Sequence, residues 1–368
     1  MASSPPVYSE QTIRNATCTK TQPVVLDPVN IRPRGGFEAA LSNGPSSSDD
    51  ETKIIYAVRH GNTPHNEDFE TWGKPAAWRY LSGLAKNFDP QITPEGVLST
   101  ARAGRFLRDM VRTESAPRPV MIYSSPLRRC VETSIHMIKQ AGLDRPRPDG
   151  HRPPVMLRVK EGLREWMGYG HGHQSDRKGS RAEIQALVEQ LQTNLGVGVP
   201  YELDVPEQEH FHDEVYLDVD RRVRGVLDDM YSDADSGTCV MLMLHSRSNK
   251  SLLRVLGHPP ADVDSFEVAN CAVLPYRVTR RGLARGEVAA RAAYEDAQWH
   301  EDHRNAEASK NAMSRQAIED VRAWGSDPRS RHRLDSLRDL LRFHMGQGDP
   351  ATGSALNMLE EDLKPPQY

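Results

Sequence analysis

No stretch of the 368-residue chain runs long enough without charge to cross a membrane, and no apolar core of signal-peptide length stands near its start. The expectation is a soluble cytoplasmic protein, with the nucleus as a second compatible compartment and no membrane partner. Cysteine is scarce: Cys18, Cys130, Cys239 and Cys271 lie far apart without metal-ligand spacing, and two fall in apolar segments where a thiol behaves as a small hydrophobe. A reducing compartment fits this usage, so the Asn15-Ala16-Thr17 sequon is not expected to be glycosylated. Net positive charge is also missing. With 47 Lys and Arg against 51 Asp and Glu the formal charge is −4, which argues against a general nucleic-acid binder. No internal repeat is apparent.

What is present suits one sizeable α/β domain with appendages, or at most two domains: 37% of residues are hydrophobic and 27% charged. Residues 1–51 are rich in Ser, Pro, Gly, Asn and Asp and read as a disordered leader. Ile54 to Val58 then form a continuously apolar, β-branched run of the kind found in buried parallel strands. It stops at Arg59-His60-Gly61. In open α/β sheets the ligand crevice lies at the carboxyl ends of strands, so Arg59 and His60 would project into it. Gly61 would allow close approach to a ligand or a backbone angle that a β-carbon forbids. A forked cation beside a neutral imidazole suits an anionic phosphoryl group and nucleophilic attack on it.

Pro64 to Pro90 reads as a long loop whose Trp72, Trp78, Tyr80 and Phe88 would pack against the sheet or line a substrate mouth. Thr93 caps and Pro94 opens a helix to about Arg112. Val120 to Ser124 is a second strand, ending at Ser125-Pro126-Leu127-Arg128-Arg129 before another helix; one of these two arginines would join Arg59 at an anion-attracting helix start. Val155 to Val159 is a third strand, followed by Leu163-Arg164-Glu165, with Glu165 available as a carboxyl acid. Ser180 to Gln192 and Leu217 to Tyr231 read as amphipathic helices, and Pro200 to Glu214 as an acidic loop between them. Thr238 to Leu244 is the most apolar strand and ends in His245-Ser246 at the head of a helix. Phe266 to Val278 supplies a last strand or hairpin containing Asn270 and Cys271. The pairs His171/His173 and His210/His212 have metal-like spacing but no convincing third and fourth ligands, so no metal is expected. From about residue 282 the chain turns rich in Ala, Arg, Glu and Asp: Ala289 to Trp324 favours helix, Leu334 to Phe343 reads as a short amphipathic helix, and Asn357 to Tyr368 as a loose end.

Taken together, Val58-Arg59-His60-Gly61-Asn62-Thr63 with Asn66, Ser125-Pro126-Leu127-Arg128-Arg129, Leu163-Arg164-Glu165 and Leu244-His245-Ser246 resemble the histidine phosphatase superfamily, also called phosphoglycerate-mutase-like, and within it the branch holding cofactor-dependent mutases, small-molecule phosphatases and fungal mutase-like proteins. The resemblance implies a three-layer α/β/α fold with a mostly parallel central sheet over residues 52–281, between the leader and a charged helical extension at 282–368. It implies that His60 is the nucleophile, that Arg59, Arg129 and His245 form the phosphate pocket, and that Glu165 is the proton donor and later the base. Asn66 would be a further phosphate contact, with Thr63 in support, and Thr63 and Ser246 count with it among the phosphate-binding residues. No cofactor is implied. The mutases of the family usually carry Glu where Asn62 stands here.

The function expected is therefore hydrolysis of a small phosphorylated metabolite through a phosphohistidine. The alternatives are a phosphomutase and a non-catalytic binding protein on the same fold. Substrate loops at Trp72 to Phe88 and Gly168 to Lys178 carry no readable code, and the oligomeric state is open.

Overall fold

β1 (Thr52–Arg59) forms because its Ile, Tyr, Ala and Val side chains find apolar layers on both faces. In a computed structural model of the chain, the residues described are 51–113, 117–146, 154–167, 174–207, 214–233, 237–256, 263, 268–280 and 298–364. Residues 1–50, both His-x-His pairs and residues 281–297 lie outside them. β1 sits in a six-stranded sheet with β2 (Met121–Ser124), β3 (Met156–Lys160), β4 (Tyr201–Asp204), β5 (Cys239–Leu244) and β6 (Val273–Thr279), in the order β4-β3-β2-β5-β1-β6. Every pairing is parallel except β1 with β6.

Helices cover both faces, as buried parallel strands require. On one side lie α3 (Pro94–Arg112), α4 (Arg128–Ala141) and α5 (Arg181–Leu195), whose Leu107, Ile135 and Val188 pack with Tyr56, Val58, Ile122 and Met243. On the other lie α6 (Tyr216–Ser232) and α7 (Ser246–Val255), whose Val223, Leu227 and Leu252 pack with Ile55, Ala57, Leu242 and Leu244. This is the expected three-layer α/β/α architecture. Thr93 caps α3 as anticipated, accepting the Gly96 amide at 3.1 Å. The last strand starts later than expected: Asn270 and Cys271 precede β6, and Cys271 takes a left-handed φ of 61°. Phe266 lies outside the described residues.

Three expectations fail. The acidic loop from Pro200 contains edge strand β4, whose Tyr201, Glu202, Leu203 and Asp204 alternate between half-buried and exposed. Such a strand carries too little hydrophobic signal to be seen. The segment after β1 is not a long loop but α1 (Pro64–Trp72) and α2 (Lys74–Leu81). Helices α8 (Gln298–Ser326) and α9 (Arg331–Gly346) lie where helices were expected, but the end read as loose from Asn357 is entered by α10 (Thr352–Asp362).

The last two failures share a cause. Trp72, Ala76, Ala77, Tyr80 and Leu81 of α1 and α2 pack with Ala317, Val321, Trp324, Leu334, Leu337, Leu341 and Leu359 of the tail in a third apolar core. Each partner covers the apolar side of the other. Asp362 fastens the join, accepting Arg79 Nε and Nη2 at 2.7 and 3.1 Å and the Tyr80 hydroxyl at 2.9 Å. Leu337 is fully buried there. Leu337→Ala should cost about 2–5 kcal/mol, read as a lowered midpoint in urea unfolding, whereas an unchanged midpoint would show that the tail does not stabilise α1 and α2.

Candidate active site

β1, β5 and β2 are neighbours in the sheet, and their register leaves their carboxyl ends flush: Arg59 lies opposite Leu244, and Ser124 opposite Met243. The residues that follow are therefore delivered to one place. The His60 amide donates to the Leu244 carbonyl at 3.0 Å, and the rings of His60 and His245 lie 5.1 Å apart between centroids. Both side chains are buried.

Leu127 precedes α4 with an extended backbone, which puts Arg129 on the first turn facing inward. Its side chain is 1% exposed. Nε donates to His245 Nδ1 at 3.1 Å, Nη2 to Asp176 Oδ1 at 2.8 Å, and Nη1 to the Ser175 carbonyl. Arg128 turns the other way, to Glu132 at 2.8 Å and Gln91 at 3.2 Å. Of the two candidate arginines, Arg129 is the one that reaches the histidines. Arg59 donates from Nη1 to the Val268 carbonyl at 2.5 Å.

Glu165 follows β3 and a short 3-10 turn at Glu161–Leu163. Its Oε1 accepts the Trp166 amide at 2.8 Å and its Oε2 the Arg247 amide at 3.0 Å, so the carboxyl is fixed against the first turn of α7. Ser246, the first residue of α7, is half-buried beside His245, and its hydroxyl makes no hydrogen bond among the described residues. Thr63 supports Asn66 directly, donating to Asn66 Oδ1 at 2.8 Å.

Gly61 departs from expectation. Its backbone is not left-handed, and no ligand is needed to explain it: a β-carbon would stand 3.0 Å from both the Gly96 carbonyl and Thr100 Oγ1. The glycine lets β1 close on the head of α3.

Several residues placed here were assigned no role from the sequence. Asn270 Nδ2 donates to the His60 carbonyl at 2.9 Å and lies 3.4 Å from Asn66 Oδ1, joining the β1 end to α1. Ser125 Oγ is 2.7 Å from His245 Nε2. Asp176 discharges Arg129, and nothing in its local sequence marks it. The signal for Ser125 was its place at a strand end, as for His245. Among the described residues no group of His, Cys, Asp and Glu is arranged to hold a metal ion.

The protonation states follow from geometry. His60 Nδ1 lies 2.7 Å from the Gly61 carbonyl, which can only accept, so the proton sits on Nδ1 and Nε2 carries a lone pair. Burial first, then the charges of Arg129 and Arg59, hold the His60 pKa well below its ordinary value. His245 is lowered likewise by burial and Arg129, and as an acceptor from Arg129 at Nδ1 it carries its proton on Nε2, toward Ser125. The carboxyl of Glu165 moves the opposite way, raised by burial and the nearby Asp176 carboxylate against the pull of its two amide donors and Arg129. Asp176 is raised by burial in spite of Arg129.

The family model described as histidine phosphatase superfamily (branch 1) matches residues 55–290. This chain belongs to that superfamily. The histidine phosphatase resemblance expected from the motifs is thereby confirmed. Among curated proteins the chain is 27% identical over 245 residues to a probable phosphoglycerate mutase of Saccharomyces cerevisiae, covering 62% of this chain and 81% of that one. It is 29% identical over 238 residues to a probable phosphoglycerate mutase of Arthroderma benhamiae, covering 63% of this chain and 65% of that one. Among solved structures a mycobacterial glucosyl-3-phosphoglycerate phosphatase aligns with a TM-score of 0.35 at 19% identity, over 60% of this chain and 88% of that one.

The lowered His60 pKa has a measurable consequence. An unfolded histidine takes a proton below about pH 6.5 whereas folded His60 does not, so its contribution to stability is present above that pH and lost as pH falls. Replacing it removes that loss. The stability of His60→Asn relative to the parent should therefore rise as pH is lowered from 7.5 to 5, in parallel chemical denaturations; a constant difference would contradict a neutral buried imidazole.

Proposed function

We propose that the chain is a phosphatase that hydrolyses a small phosphorylated metabolite through a phosphohistidine formed on His60. The observation that carries this reading is the state of His60: a neutral imidazole with Nδ1 committed to the Gly61 carbonyl and its Nε2 lone pair free to attack, in the field of Arg59 and Arg129. The catalytic unit is residues 52–281, with 282–368 as an extension bracing α1 and α2.

In the first step Nε2 of His60 attacks phosphorus, the ester P–O bond breaks, and the leaving oxygen takes the proton of Glu165. In the second, Glu165 takes a proton from water, the resulting oxygen attacks phosphorus, and the P–N bond breaks to release inorganic phosphate. The raised carboxyl of Glu165 suits the acid role, since it keeps its proton until the leaving group needs it. Arg59, Arg129, His245 and Asn66 would receive the equatorial oxygens, where negative charge gathers in transfer. In the free protein Arg129 is held by Asp176 and Ser175 and His245 by Ser125, so these internal partners give way to the phosphoryl group on binding.

The names of the curated relatives favour a second reading, a phosphomutase. A mutase would need a bisphosphate primer and would return the phosphoryl group to substrate rather than to water. Asn62, in place of the family's usual Glu, favours hydrolysis.

A panel of phosphorylated metabolites should show phosphate release that vanishes in His60→Ala, because no neighbouring group replaces the nucleophile, and an acid-labile phosphoenzyme should be trapped only with His60 intact. Equal release by parent and mutant would overturn the reading. Arg129→Ala should lower kcat by roughly 100- to 1000-fold, and a change of only a few-fold would remove Arg129 from the phosphate pocket.

A further inference from the structure

Four arginines around the strand ends are discharged by carboxylates: Arg129 by Asp176, Arg164 and Arg222 by Glu214, and Arg254 by both oxygens of Asp220. Arg247 is not. Among the described residues no carboxylate lies within ion-pair distance of its guanidinium, and its side chain makes no hydrogen bond. What holds it is aromatic. Its Cζ lies 5.8 Å from the ring centroids of both Trp166 and Tyr216, which are themselves 4.8 Å apart. Trp166 is in turn fixed by donating Nε1 to the Glu214 carbonyl at 2.7 Å.

A guanidinium held over ring faces makes no hydrogen bond to them and keeps its N–H groups for another partner, which its planar fork matches best with carboxylate or phosphate. The position gives that partner an identity. Arg247 is two residues past His245, its amide donates to Glu165 at 3.0 Å, and Trp166 directly follows Glu165. Arg247 and Trp166 are thus the neighbours of the carboxyl from which, in the proposed reaction, the departing oxygen takes its proton.

We propose that Arg247 binds a second anionic group, carboxylate or phosphate, on the alcohol portion of the substrate, so that the site selects phosphomonoesters whose leaving group is itself charged. This deepens the phosphatase reading and rests on it for the direction in which the leaving group departs. Arg247 touches substrate but no reacting atom, so it determines specificity.

Binding to the inert His60→Ala protein tests this without requiring turnover. Phosphoglycolate and ethyl phosphate differ chiefly in a carboxylate; propane-1,3-diol bisphosphate and propyl phosphate differ in a second phosphate. Calorimetry should show the charged member of at least one pair binding tighter by about tenfold or more. Adding Arg247→Gln should erase most of that ratio, while Arg247→Lys, which keeps the charge but loses the fork, should retain part of it. The pair that discriminates identifies the second anion as carboxylate or phosphate. No preference in either pair, or a preference that survives Arg247→Gln, would reduce Arg247 to packing over the two rings. Should Arg247→Gln fail to fold, as judged by its melting transition, Arg247→Lys decides: an undiminished ratio overturns the proposal. If the parent protein shows the preference yet releases phosphate from none of the four compounds, hydrolysis falls and the second anion site stands.

Discussion

The arrangement of the strand ends depends on one buried cation. A guanidinium that is 1% exposed must be matched by acceptors, because an uncompensated charge at that depth costs several kcal/mol. Arg129 finds three: His245 Nδ1, the Ser175 carbonyl and Asp176. The first choice fixes chemistry, since only a neutral imidazole can accept there, and the tautomer it fixes turns Nε2–H toward Ser125. The other two tie the segment at residues 175–176 to α4. Asp89 reinforces that tie from a left-handed backbone, accepting the Arg128 amide at 2.8 Å and the Gly179 amide at 3.3 Å; burial raises its carboxyl to about 7. Strand end, helix start and a distant turn are thereby locked around one side chain.

The parts of the molecule legible in the sequence are those whose physics is local. The runs at Ile54 to Val58 and Cys239 to Leu244 are apolar throughout because both faces are covered, and each stops at a histidine that packing alone would not place there. Thr93-Pro94 announces α3 because capping and the proline ring act within one turn. What stayed hidden depends on partners far along the chain. α1 opens with Pro64 and carries His65, Asn66, Glu67 and Asp68, so its helix has little amphipathic signature until α8 to α10 cover Trp72 and α2. Asp176 and Asn270 are ordinary polar residues in sequence, and only the fold shows that one discharges Arg129 and the other joins His60 to Asn66. Spacing could offer two adjacent arginines after β2, but only the direction of the first turn of α4 separates Arg129 from Arg128.

That first turn also explains how one small space holds basic and acidic groups in opposite conditions. Burial penalises the charged form of every titratable group, so it drives the imidazoles of His60 and His245 toward losing a proton and the Glu165 carboxyl toward keeping one, while at Asp176 the same pressure is met by the ion pair with Arg129. Arg129 acts on both sets but with unequal result. It adds to burial at the histidines, whereas at the carboxyls it opposes burial, which remains the larger effect. Burial thus favours a proton on the Glu165 oxygen and a lone pair on the His60 nitrogen, the distribution that suits the proposed attack by an imidazole with acid assistance to a leaving alkoxide.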